Sequence, residues 1–188
     1  MKIDVIESSP DVVRLKISDA GLGFINALRR TVLNTVPTMA IDSVTFYENT
    51  SAMFDEYIAH RLGLIPIITP AGYDEKDEVL MSIESEGPCT VYSKDIKSSD
   101  RKVLPSNESI PIMKLVAGQR LKLDCKAVLG SGMKSAKFQP GLATYKLLKE
   151  GEFEFYVESF GQMPAQEVLK KAAETMRADI KAVAKKLG

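Results

Sequence analysis

The chain has 188 residues, 45% of them apolar and 27% charged, with 25 basic side chains balancing 25 acidic ones. That length suffices for one hydrophobic core or two small ones, and the ordinary apolar share argues against disorder. The even charge balance argues against a protein whose main work is gripping phosphate backbones, which calls for a basic excess.

In residues 1–5, Ile3 and Val5 alternate with polar neighbours and predict a strand; Val13, Leu15 and Ile17 predict a second, with Arg14 and Lys16 on its other face. Ser8-Ser9-Pro10-Asp11 between them is turn chemistry, so the two strands form an antiparallel hairpin. Leu22, Ile25, Leu28, Val32 and Val36 then recur at steps of three and four, the period of one helix face. Asn26, Arg29, Arg30 and Asn34 fall elsewhere on that helix, and Pro37 ends it.

Residues 41–48 are rich in β-branched and aromatic side chains and predict a third strand. A second helix follows within 49–63, where Phe54, Ile58 and Leu62 stand at steps of four, Asp55 and Glu56 sit near the positive end, and Gly63 is the stop. From 79 to about 149 the pieces are short and strand-like: 79–83, 89–92 and 119–128. In the last of these, Leu121, Leu123, Cys125 and Ala127 alternate with Lys122, Asp124 and Lys126. Polar turns are expected at 84–88 and 97–109, and a loop of glycine and basic residues, Lys134 and Lys137 included, at 130–140.

Phe153, Phe155 and Val157 alternate with Glu152, Glu154 and Glu158, a strand with one apolar and one acidic face. Pro164 suits the first turn of a closing helix, about 36 Å long if it runs to Leu187 at ~1.5 Å per residue. Along it Leu169, Ala173, Met176, Ile180, Val183 and Leu187 are separated by four, three, four, three and four. That spacing suits a seam against another helix better than a broad face on a sheet, and the small Ala172 and Ala173 permit close approach. The alternative is a seam that packs only against this chain's own first helix; because that helix also has a sheet to cover, a helix of another chain is the expected occupant. Residues 1–45 and 150–188 are thus expected to form one α+β unit, an antiparallel sheet with two helices, interrupted by an inserted β-rich domain at 46–149.

Catalytic arrangements are weak. His60 is the single histidine, and Asp55 lies five residues back, off its helix face. No Gly-x-Ser-x-Gly elbow occurs, and in Gly130-Ser131-Gly132-Met133-Lys134-Ser135 a methionine separates glycine from lysine, unlike a phosphate loop. The acidic pairs Asp74-Glu75 and Asp77-Glu78 sit in a polar turn without the spacing of a polymerase metal site. Cys89 and Cys125 stand too far apart for a ligand pair, so no metal or other cofactor is expected. No apolar run approaches the ~20 residues that cross a bilayer, and residues 1–5 lack the apolar region of a secretion signal. A cytoplasmic protein with no membrane contact is expected.

Asn26-Ala27-Leu28-Arg29-Arg30 and Asp55-Glu56-Tyr57-Ile58-Ala59-His60-Arg61-Leu62-Gly63-Leu64-Ile65-Pro66 resemble the signature segments of the alpha-like subunits of multisubunit RNA polymerases, the archaeal D type in particular. The likeness continues at 134–145 and in the closing helix, so it covers most of the chain. It implies an alpha-subunit-like dimerisation domain and a non-catalytic scaffold subunit of a DNA-directed RNA polymerase, the nucleotidyltransferase of transcription. It further implies a heterodimer with an L subunit, joined by the small N and P subunits, that nucleates assembly of the large catalytic subunits. The dimer interface is then expected from Leu22, Ile25, Leu28 and Val32 together with Leu169, Ala173, Met176, Ile180, Val183 and Leu187. Arg29, Arg30, Asp55, Glu56, His60, Arg61, Lys134 and Lys137 are carried over as docking positions toward the large or small assembly subunits. Adjacent arginines are otherwise plain solvated charges, although the planar guanidinium also reads carboxylates and carbonyls across interfaces. No sequence-specific DNA contact is expected. Many D subunits carry a cysteine-rich domain with an iron–sulfur cluster; nothing in this sequence matches that domain, and no cluster is expected. Two rival readings are a stand-alone homodimeric adaptor using the same helices and a small hydrolase working through His60.

Overall fold

A computed structural model describes residues 1–74 and 76–187. Glu75, one member of the acidic pairs named above, lies outside the described residues. Strands β1 (Lys2–Ser8) and β2 (Val12–Ser18) lead to helix α1 (Leu22–Asn34). Then come β3 (Thr38–Asn49), α2 (Asp55–Gly63), β4 (Glu78–Glu86), β5 (Cys89–Tyr92), β6 (Lys97–Ser98), β7 (Pro111–Leu115) and β8 (Arg120–Gly130). The chain closes on β9 (Gly141–Lys149), β10 (Glu152–Ser159) and α3 (Ala165–Leu187). The fold is α+β with antiparallel sheets, divided into two compact units: Met1–Pro37 with Ser131–Gly188, and Thr38–Gly130.

In the first unit the sheet order is β1-β2-β10-β9. Direct pairing of Ile17 with Phe153, Leu15 with Phe155 and Val13 with Val157 puts the apolar sets of β2 and β10 on one face, as their alternation requires. Ile25, Leu28 and Val32 of α1 and Ala165, Val168 and Ala172 of α3 join these side chains in one core. Each larger member contributes roughly 1.5–3 kcal/mol by leaving water. Helix α1 has no side-chain cap and no acid in its first turn, so this burial stabilises it rather than its own ends. On the opposite face Lys16 pairs with Glu152 at 3.1 Å, and the Arg14 guanidinium lies 5.5 Å from the Tyr156 ring centre.

In the second unit β3-β8-β4-β6 form one sheet and β5-β7 a two-stranded ribbon. Leu121, Leu123, Cys125 and Ala127 are buried with Ile58 and Leu62 of α2, while the outward face carries ion pairs between β8 and β4. Lys122 meets Glu84 at 3.2 Å, Arg120 meets Glu86 at 3.3 Å and Lys126 meets Glu78 at 2.9 Å. All three are exposed, and such pairs contribute about 0–1 kcal/mol each.

The division falls at 37 and 131, where the sequence suggested 45 and 150. Strand β3 pairs with β8 from Thr38↔Gly130 to Asn49↔Leu121, which binds it to the second unit along its whole length. Strand β9, given no separate place in the sequence reading, pairs with β10 and belongs to the first. Strands β6 and β7 likewise lie in or beside a stretch expected to be turns. The second helix begins at Asp55 because Phe54 is its extended N-terminal cap, with φ −66° and ψ 149°. Phe54 therefore leaves the stripe it was grouped in and stands exposed, while Ile58 and Leu62 are buried.

Candidate functional site

Helix α3 has two apolar faces. Ala165, Val168 and Ala172 recur at three and four and are buried in the first unit's core. Of the stripe of Leu169, Ala173, Met176, Ile180, Val183 and Leu187, Leu169 and Met176 pack against the margin of that core, and Ile180, Val183 and Leu187 stand clear of it. Leu169 and Met176 are half-buried and Ala173 is exposed. Ile180 is 65%, Val183 58% and Leu187 84% exposed. Among the described residues, none of α3 beyond Ala172 is buried. A row of aliphatic side chains in water at heptad spacing is the surface that knobs-into-holes packing covers.

The upper part of this stripe borders an open groove of about 390 Å³. Leu15 and Ile17 of β2, Phe24 and Leu28 of α1, and Ile3 of β1 line it opposite the helix, and among the described residues the charged side chains in its lining are Arg177 and Lys181. Strand β1 is the sheet's edge and every residue in it is exposed. Ile3, Val5 and Ile6 therefore remain bare although the strand is paired with β2.

The sequence-derived interface set divides on this geometry. Ile25 and Val32 are 0% exposed and fill the unit's own core, because the inward side of α1 covers the sheet. Leu28 is buried yet reaches the groove's lining, and Leu22 is exposed on the first turn. Ile3, Leu15, Ile17 and Phe24, which line the groove, stood outside the set expected from the sequence. The available signal was an aromatic residue, Phe24, just off the apolar stripe of α1.

The carried-over docking residues lie on both units. In the first, the Arg29 guanidinium donates from Nε and Nη2 to Asn26 Oδ1 at 3.3 and 3.1 Å, and Arg30 is exposed without a partner among the described residues. Lys134 and Lys137 place their ammonium groups 5.4 and 5.3 Å from the buried Phe138 ring. Their loop is held against the end of α1: Met133 donates its N–H to the Asn34 carbonyl at 3.0 Å. A Cβ on Gly132 would fall 2.0 Å from the Leu33 carbonyl oxygen, so only glycine fits.

In the second unit Asp55, Glu56, His60 and Arg61 are all exposed on α2. Asp55 accepts from Asn49 Nδ2 at 2.7 Å, and Arg61 Nη2 donates to the Pro111 carbonyl at 2.7 Å. Phe54, Tyr57 and Leu64 flank them on the outward side.

Among the described residues, no group of three or more His, Cys, Asp or Glu side chains could hold a metal ion. Burial pushes the Cys125 thiol up to about 12, so it stays protonated and unreactive. Among the described residues no helix is long and apolar enough to cross a membrane.

The chain matches the RNA polymerase Rpb3/RpoA insert domain over residues 34–143, a span that contains the whole second unit and the flanking residues 34–37 and 131–143 of the first. It is 48% identical over 158 residues to DNA-directed RNA polymerase subunit Rpo3 of Methanocaldococcus jannaschii, covering 84% of this chain and 81% of that one. With the Rpo3 of Thermococcus kodakarensis the identity is 44% over 181 residues, covering 93% and 68%; with that of Pyrococcus furiosus it is 47% over 153 residues, covering 78% and 59%. The chain belongs to the alpha-like subunit family of DNA-directed RNA polymerases, with the archaeal Rpo3, or D-type, subunits of the transcription machinery.

Proposed function

We propose that this chain is a non-catalytic scaffold subunit, active in the cytoplasm, that pairs with an alpha-like L subunit. The pair, joined by the small N and P subunits, nucleates assembly of the large subunits that carry out nucleotidyl transfer. The observation that carries this reading is the bare heptad stripe of α3 beside the apolar groove of the first unit. Burying Ile180, Val183 and Leu187 against a partner helix contributes roughly 1.5–3 kcal/mol each before the cost of association. Arg29, Arg30, Asp55, Glu56, His60, Arg61, Lys134 and Lys137 serve docking to the remaining subunits, and no iron–sulfur cluster is bound.

The test is co-expression with the L chain of the same genome. A stable one-to-one complex is expected, and the double variant Met176→Asp, Ile180→Asp abolishes it by burying charge in the seam. A wild-type chain that forms no complex, or a double variant that pairs as well as wild type, refutes the scheme. Replacing Arg29 and Arg30 by alanine leaves the heterodimer intact and lowers recovery of the full enzyme. Equal recovery removes the docking role.

A further inference from the structure

Arg177 and Lys181 of α3 line the groove. Arg177 and Lys181 stand four residues apart on α3, a like-charge spacing that disfavours the isolated helix. Neither makes an ion pair among the described residues, and Glu174, the acid nearest in sequence on the N-terminal side, pairs with neither. At about 100° per residue, Lys170 falls on the same flank of the Leu169, Met176 and Ile180 stripe, with Glu174 at that flank's outer margin and Asp179 on the opposite flank. The groove is thus an apolar trough with one basic rim and, among the described residues, no acid in its lining.

We propose that Arg177 and Lys181 select the groove's occupant: an amphipathic helix of a different chain whose apolar stripe is flanked by Asp or Glu, in preference to a second copy of this chain. The inference rests on the heterodimer reading above and adds the rule by which the partner is chosen. In a two-fold pair of identical chains the same patch faces itself. A second copy would therefore bring another basic rim to the seam, with no acid among the described lining residues to meet it. An acidic rim meets both cations at the margin of a desolvated apolar contact, where screening by water is weaker than on an open surface. Such rim charges govern partner choice and encounter more than total affinity.

The experiment titrates the L chain calorimetrically with wild type, with Arg177→Gln, Lys181→Gln and with Arg177→Glu, Lys181→Glu, at low and at raised salt. Sedimentation of each chain alone accompanies it. Both positions are exposed, so circular dichroism serves to verify that each variant stays folded. The charge-reversed chain is expected to bind about tenfold or more weakly at low salt, with the gap closing as salt rises and the glutamine chain lying between. Alone, the glutamine chain is expected to self-associate more than wild type. Unchanged affinity and salt dependence in both variants overturn the proposal, as does a self-association equal to wild type. If Met176→Asp, Ile180→Asp still abolishes binding, only the selection rule has failed. If that variant binds normally, the heterodimer reading has failed with it.

Discussion

The two halves of α3 are one continuous helix with one heptad stripe, yet they meet different surroundings. Up to Ala172 the helix also carries the buried row of Ala165, Val168 and Ala172, which joins the core formed with β2 and β10. Beyond it, Ile180, Val183 and Leu187 keep the same seam spacing with no core side chains behind them. The difference teaches that a helix can be anchored by one face along its first turns so as to present a second face over its last ones.

A charge in each half separates these roles most strongly. Val168→Asp buries an unpaired carboxylate in the first unit and is expected to cost about 3–5 kcal/mol or to prevent folding. Ile180→Asp in the same helix is expected to change the isolated chain's stability by no more than about 0.5 kcal/mol. Thermal unfolding of the two single variants measures both, and similar losses would erase the distinction between the halves.

A smaller effect probes the loop at the other end of α1. Gly132→Ala forces the backbone away from the Leu33 carbonyl and is expected to cost about 1–3 kcal/mol, with lower recovery of assembled polymerase as Lys134 and Lys137 shift. Unaltered stability and recovery would show that the close approach at Gly132 is not needed.

The smallest concerns the polar face of the first unit's sheet. Lys149 and Lys16 hold the Glu152 carboxyl below the usual glutamate range by hydrogen bonding and charge. A depressed folded value means that the stabilisation is fully present above the unfolded group's pKa and is lost as pH falls through the folded one. Lys149→Met should move Glu152's titration up toward the ordinary range. A side-chain titration followed by NMR reads the change directly, and an unmoved midpoint contradicts the assigned cause.

Much of this was legible in the sequence because it is periodic. The alternation of β2, β8 and β10 and the three-four spacing of α3 each survive in the fold. Strand β9 was not legible. The Leu147-Leu148 doublet breaks the alternation, and the structure accommodates it by a register shift that leaves Leu148 unpaired between Leu147 and Lys149. Nor could spacing divide the stripe of α1. Leu22, Ile25, Leu28 and Val32 are equally apolar, but only the sheet decides that Ile25 and Val32 are core while Leu22 stays outside. The contribution of Ile3 to the groove depends on β1 being an edge strand, and edge position is a property of strand order that no local pattern carries.

The most direct test is amide hydrogen exchange along α3, with and without the L chain. Residues 165–172 should be protected in both states, whereas residues 177–187 should exchange quickly in the free chain and become protected on pairing. Equal protection of the last turns in both states would mean that the exposed stripe is not where a partner helix binds.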